Sequence, residues 1–176
     1  MREEVRVMYS GSEVNQKITE MAAQINKDYA GKRIHLICLL KGSIFFFCEL
    51  AKQLTVPVTM DFMTVSSYGD DTKSSGNLKI KKDLDESVEG LDCLLVEDII
   101  DSGRTLSLTR AMLLERKPAS LKLCTLLDKP DRREVEVPVD YVGFEIPDEF
   151  VVGYGLDYAQ RYRNLPYVGI LDFVEE

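Results

Sequence analysis

Chain breakers are scarce in this sequence: 176 residues contain six prolines and 11 glycines. That excludes a low-complexity or disordered chain. Cysteine is sparse too, and Cys38, Cys48, Cys93 and Cys124 show no C-x-x-C spacing. Three of them fall inside apolar runs and Cys48 follows FFF. They read as buried thiols of a reducing compartment, not as disulfides or a metal site. No apolar run approaches the ~18 residues of a membrane span, and MREEVRVMYS lacks the apolar core of a secretory signal. A cytoplasmic protein without a membrane partner is expected. Basic residues are outnumbered, 22 Lys and Arg against 30 Asp and Glu, for a net charge of −8. Nucleic acid is held by many Lys and Arg contacts, so it is not an expected partner, although a small basic pocket is not excluded. The single histidine, His35, sits in an apolar stretch and reads as structural, and no Ser–His–Asp or metal–His arrangement is visible.

What is present is a chain of one-domain length with 45% apolar residues, enough to bury a core. Val14, Ile18, Met21, Ile25 and Tyr29 recur at steps of three and four, predicting a helix over 12–30 with Ser12 as N-cap and Gly31 closing it. IHLICLL (34–40), DCLLVEDII (92–100) and SLKLCTLLDK (120–129) are short continuous apolar runs suited to strands buried on both faces. Helices are expected over 43–54 and 104–117, the latter ending at Pro118. Residues 56–68 are β-rich, 69–77 are polar and Gly only and read as a mobile loop, and 78–84 resume as a strand. The tail alternates strand candidates (YVGFEI, VVGYGL, YVGILDF) with turns. Strand–helix–strand units of this kind imply an α/β fold with a mostly parallel twisted sheet flanked by helices. Ligands then sit outside the carboxyl ends of the strands, where LKG (40–42), EDIIDSG (97–103) and LLDK (126–129) all fall.

The stretch VEDIIDSGRTL (96–106) sets three carboxylates before a small-residue turn with the composition of an anion-binding loop. The plainest account is a solvated loop with Asp101 or Ser102 as helix N-cap. It does not explain why Glu97 and Asp98 follow four apolar residues. A Walker A loop fails on spacing, because only Gly103 precedes Arg104-Thr105. A phosphorelay receiver would carry its acidic pair near the start of the chain. Two acids, two aliphatics, Asp, a small hydroxyl residue, Gly, a basic residue and Thr resemble the signature of the type I phosphoribosyltransferases. LLKGSIFFF (39–47), MDFMTVSSYG (60–69), LLDKPDRR (126–133) and VGFEIPDEFVVGYGLDYAQRYRNLP (142–166) extend the resemblance to the hypoxanthine-guanine members, in order, from about residue 34 to 172.

The resemblance implies a type I fold in one domain over 1–176. Its core would span about 10–135, with a small hood of short strands from N-terminal residues plus about 136–176, and a flexible lid loop. It implies phosphoribosyl pyrophosphate and a 6-oxopurine as substrates and Mg2+ as cofactor. Asp101 to Thr105 (Asp101, Ser102, Gly103, Arg104, Thr105) would cradle the 5′-phosphate at a helix N-terminus. Glu97 and Asp98 would accept from the ribose hydroxyls. Lys41, Gly42 and Arg163 would face the pyrophosphate. One magnesium would lie near Glu97 and Asp98 and a second at Asp157. Lys129 would donate to the purine O6, Phe150 and Ile99 would flank the base, and backbone groups of Val151 and Asp157 would read its far edge. Asp101 would be the general base for N7, and Ser67 and Tyr68 belong to the expected lid.

Two rivals stand beside this reading. One is a regulator of the same fold that binds phosphoribosyl pyrophosphate or RNA with little turnover. It is disfavoured because Asp101, Lys129 and the lid are present and the net charge is −8. The other is a transferase for a different base. EIPDEFVVGYGLDY opposes pyrimidine, while xanthine, differing at a position read by backbone, stays open. The resemblance also implies a homo-oligomer, dimer or tetramer.

Overall fold

The computed structural model describes residues 1–67 and 77–175. Tyr68 and residues 69–76, most of the expected lid, lie outside the described residues. Along the chain run β1 (Arg2–Tyr9), α1 (Gly11–Asp28), β2 (Ile34–Leu39), α2 (Ile44–Gln53), β3 (Val58–Ser67), β4 (Leu78–Lys82), β5 (Asp92–Ile100), α3 (Arg104–Glu115), β6 (Ser120–Asp128), a 3-10 turn at Pro130–Arg132, β7 (Tyr141–Glu145), β8 (Val151–Val152) and β9 (Val168–Val174). Six strands form one sheet in the order β4-β3-β2-β5-β6-β7. All its pairings are parallel except β3 with the edge strand β4.

The apolar runs become the centre of this sheet. All six residues of β2 are buried, as are Cys93–Val96 of β5 and Leu123–Asp128 of β6. One face packs on α1 and α2 through Val14, Ile18, Ile25, Phe46 and Phe47. The other packs on α3 through Ile37, Leu95, Leu106 and Leu113. Each such side chain contributes about 1.5–3 kcal/mol by leaving water. Burial along β5 lapses at Glu97–Ile99, so the strand leaves the core where its acidic residues begin.

Several local expectations are corrected. The N-cap of α1 is Ser10, not Ser12. Glu13 donates its amide to Ser10 Oγ at 3.1 Å and accepts from the Ser10 amide at 3.2 Å, a reciprocal box that Ser12, with Asn15 three residues on, cannot form. The N-cap of α3 is neither Asp101 nor Ser102 but Gly103, at φ 82°. A Cβ there would strike the Val135 carbonyl, so the chain turns in the left-handed region only glycine enters freely. Cys48 is exposed on α2, while Cys38, Cys93 and Cys124 are buried and all four thiols are free. β7, within the range assigned to the hood, joins the main sheet beside β6, since Cys124–Asp128 offer it a buried edge. VVGYGL yields only the two residues of β8, because Gly153, Tyr154 and Gly155 all take positive φ.

A second sheet, β1-β9-β8, is antiparallel. The periodicity of REEVRVMY does not by itself bound β1, a half-exposed strand that gains its partner from β9 at the far end of the chain. Among the described residues no helix is long and apolar enough to cross a membrane.

Candidate active site

The carboxyl ends of β2, β5 and β6 meet on one rim. After β5, residues Asp101–Gly103 turn into α3, whose first-turn amides have no partners within the helix and point out of its N-terminus. The turn is braced from outside. The Ser102 carbonyl accepts from the amides of Glu134 and Val135 at 2.9 and 3.1 Å, and Arg104 pairs with Glu134. Ser102 Oγ accepts from the Arg104 amide at 3.3 Å, and the Thr105 carbonyl accepts from Thr109 Oγ1 at 2.8 Å. This fixed concavity of amides suits a phosphate.

Beside it, Glu97 and Asp98 face the turn after β2. The buried Ser43 donates its hydroxyl to Glu97 Oε1 at 3.1 Å, and the Asp98 amide donates to the same oxygen at 3.0 Å. Part of Glu97 reaches the surface, but its carboxyl group is desolvated. Burial first, then the charge of Asp98, push its pKa well above the ordinary carboxylate range. The Leu40–Lys41 peptide is cis. A Cβ on Gly42 would strike the Asp98 carboxylate, and one on Gly155 would strike the Gly42 carbonyl, so the three segments meet at van der Waals distance. The Lys41 ammonium donates to Gln160 at 3.1 Å.

A cavity of about 430 Å³ opens next to this turn, lined by Ile99, Asp101, Lys129, Arg132, Asp148, Phe150, Val151, Leu156 and Asp157. It brings together all six residues expected around the base. Lys129 is buried at 7% exposure, and among the described residues no carboxylate lies within ion-pairing distance of its ammonium. Phe150 is 48% exposed, its ring edge-on to Tyr158. Asp101 is exposed and accepts from Arg132 Nε at 3.2 Å, and Arg132 also lies 3.8 Å from Asp148. Arg132, Asp148 and Leu156 were not singled out from the sequence. The run LLDKPDRR carried Arg132, but nothing local showed that the 3-10 turn would aim it back at Asp101.

The last segment is an irregular turn. Arg163 donates to the Gly155 carbonyl at 2.7 Å and to Gln160 at 3.2 Å, and it lies 3.1 Å from Asp157. Among the described residues no cluster of three or more His, Cys, Asp or Glu side chains forms a ready metal shell. The carboxylates of Glu97, Asp98 and Asp157 are hard oxygen donors of the kind a divalent cation takes. His35 lies at the opposite rim, buried, with Nδ1 2.7 Å from Thr59 Oγ1.

A parallel sheet with a phosphate-suited turn, an acidic pair and a side cavity at one rim matches a known family. The phosphoribosyl transferase domain model covers residues 8–159, and the chain belongs to that family. A hypoxanthine phosphoribosyltransferase of Salmonella typhimurium is 53% identical over 178 residues, covering 100% of both chains. A hypoxanthine-guanine phosphoribosyltransferase of Streptococcus thermophilus is 50% identical over 94% of this chain and 92% of its own. Among solved structures, a hypoxanthine-guanine phosphoribosyltransferase from Bacillus anthracis superposes with a TM-score of 0.91 at 45% identity, covering 95% of this chain and 99% of that one.

Proposed function

We propose that this protein is a purine-salvage transferase, moving the 5-phosphoribosyl group of phosphoribosyl pyrophosphate to N9 of hypoxanthine or guanine and releasing pyrophosphate. The observation that carries the base class is Lys129, a buried residue that lines the cavity shared with Phe150 and Ile99 and whose ammonium has no partner among the described residues. A cavity-lining donor with no internal acceptor selects a 6-oxo over a 6-amino purine. Amides of Asp101 to Thr105 take the 5′-phosphate, Glu97 and Asp98 accept from the ribose diol, and the Lys41-Gly42 turn with Arg163 faces the pyrophosphate.

Asp101 takes the proton that N7 loses as N9 bonds to C1. Its carboxylate is held by Arg132 in the free protein, and the guanidinium can move toward Asp148, already 3.8 Å away. Glu97, Asp98 and Asp157 are the residues that would hold magnesium, by donor type. When bound, the ion supplies neutralisation of the charge developing on pyrophosphate. We assign the reaction to the cytoplasm, with four free thiols as support.

The test is nucleotide formation with phosphoribosyl pyrophosphate and magnesium, supplying hypoxanthine, guanine, xanthine, adenine and uracil separately. Turnover of 6-oxopurines, none with adenine, and loss with EDTA are expected. Turnover with adenine, or binding of phosphoribosyl pyrophosphate without turnover of any base, contradicts the reading. Lys129→Met should lower kcat/KM for hypoxanthine by about 10²-fold or more, because it leaves O6 without its donor.

A further inference from the structure

Two cations expected to face the same leaving group, Lys41 and Arg163, come from turns more than a hundred residues apart, yet one atom joins them. Gln160 Oε1 accepts from Lys41 Nζ at 3.1 Å and from Arg163 Nη2 at 3.2 Å. The backbone beneath it is unusual. Tyr158 and Arg161 exchange both amide–carbonyl bonds, at 3.1 and 2.9 Å, with Ala159 and Gln160 between them at φ 50° and 66°. Positive φ at both central residues of a two-residue turn is ordinarily left to Asn-Gly, because a Cβ disfavours it. Here neither position is glycine. The turn is pinned at its base: the Gln160 amide donates to Asp157 Oδ2 at 2.8 Å, and Arg161 pairs with Glu3 of β1 at 2.7 Å. The strained turn therefore aims one neutral carbonyl oxygen between two cations.

We propose that Gln160 is a positioning residue for pyrophosphate: its carboxamide oxygen gathers Lys41 and Arg163 at one point, and a pyrophosphate oxygen takes its place there. The inference rests on the reading that these two cations face the pyrophosphate. A neutral acceptor suits the task, because Arg163 already lies 3.1 Å from the Asp157 carboxylate and Gln160 aligns it with Lys41 without adding a second anion. A carboxylate at the same reach would hold both more tightly and repel the incoming ligand. A shorter amide would not span the two turns.

The test is steady-state kinetics in both directions, reading KM for phosphoribosyl pyrophosphate in the forward reaction and KM for pyrophosphate in the reverse. Gln160 is exposed, so its variants should fold. Gln160→Gly tolerates the positive φ and removes only the side chain. It should raise both KM values about 5–20-fold while kcat and the hypoxanthine KM move far less, the pattern of lost ligand alignment. Gln160→Asn should behave like it, and Gln160→Glu should raise the pyrophosphate KM furthest. Wild-type KM values in Gln160→Gly, or tighter pyrophosphate binding in Gln160→Glu, overturn the proposal. Arg163→Met separates the two levels. If it raises both KM values while the Gln160 variants do not, only the inference fails. If it changes neither, the pyrophosphate site itself is misplaced and the inference falls with it.

Discussion

Two carboxylates sit on neighbouring regions of the same sheet and are treated in opposite ways. Asp61 on β3 is 2% exposed and is met by three backbone amides, those of Phe62, Asp85 and Glu86, at 2.8, 2.9 and 3.0 Å. Burial is the largest single influence and pushes its pKa up. The three amides and the nearby His35 together outweigh it, so Asp61 lies below the ordinary carboxylate range. Glu97 on β5 has one hydroxyl and one amide on a single oxygen and a second acid beside it, and burial with that charge pushes it up. The satisfied acid ties a loop to the fold. The under-satisfied one is held ready for donors that the protein does not supply. The contrast separates an acid that serves structure from one that, on the proposed function, would serve a ligand.

The largest effect that would break this comparison belongs to Asp61. Asp61→Asn should cost about 2–3 kcal/mol at pH 7, since an NH2 group then meets amide donors. Because the folded pKa is lowered, the stabilisation is present above the unfolded value near 3.9 and is lost as pH falls through the folded value. Denaturant midpoints should show the full deficit at pH 7 and a shrinking one below about pH 4. Glu97→Gln should run the other way, stabilising the free protein by about 1 kcal/mol at pH 8 through relief of the crowding with Asp98. Its raised folded pKa means that the neutral form is the stable one. The gain should vanish as pH falls toward the unfolded value near 4.3, where wild-type Glu97 is protonated too. The smallest effect is at the surface. Asp83 is also lowered, chiefly by its two bonds from Arg116 at 2.8 and 2.9 Å, but it is 48% exposed. Asp83→Asn should cost about 0.5 kcal/mol or less and fade with added salt in the same unfolding assay.

The features legible in the sequence were those whose cause is local. The bounds of β5 follow from one continuous apolar run closing on a polar turn, and Gly103 announces the turn it makes. Ile99, Asp101 and Lys129 share one cavity because β5 and β6 end on one rim, a consequence of parallel topology, while Phe150, Val151 and Asp157 reach it from around β8 of the second sheet. What escaped was long-range. β1 acquires its pairing from β9, Arg132 acquires its role from Asp101 and Asp148, and Gln160 joins Lys41 to Arg163. Sequence singled out Glu97 but gave Asp61 no role. Its structural part shows only in the loop that carries the Asp85 and Glu86 amides back over β3.

The central claim is that the acidic pair serves the ligand at the expense of the free protein, and thermal melting with phosphoribosyl pyrophosphate and magnesium tests it most directly. At saturating ligand the wild type should gain about 5–10 °C. Glu97→Gln should start about 2–4 °C higher and gain less than half as much. A variant that melts at or below the wild type when free, and gains the full ligand shift, would contradict the account.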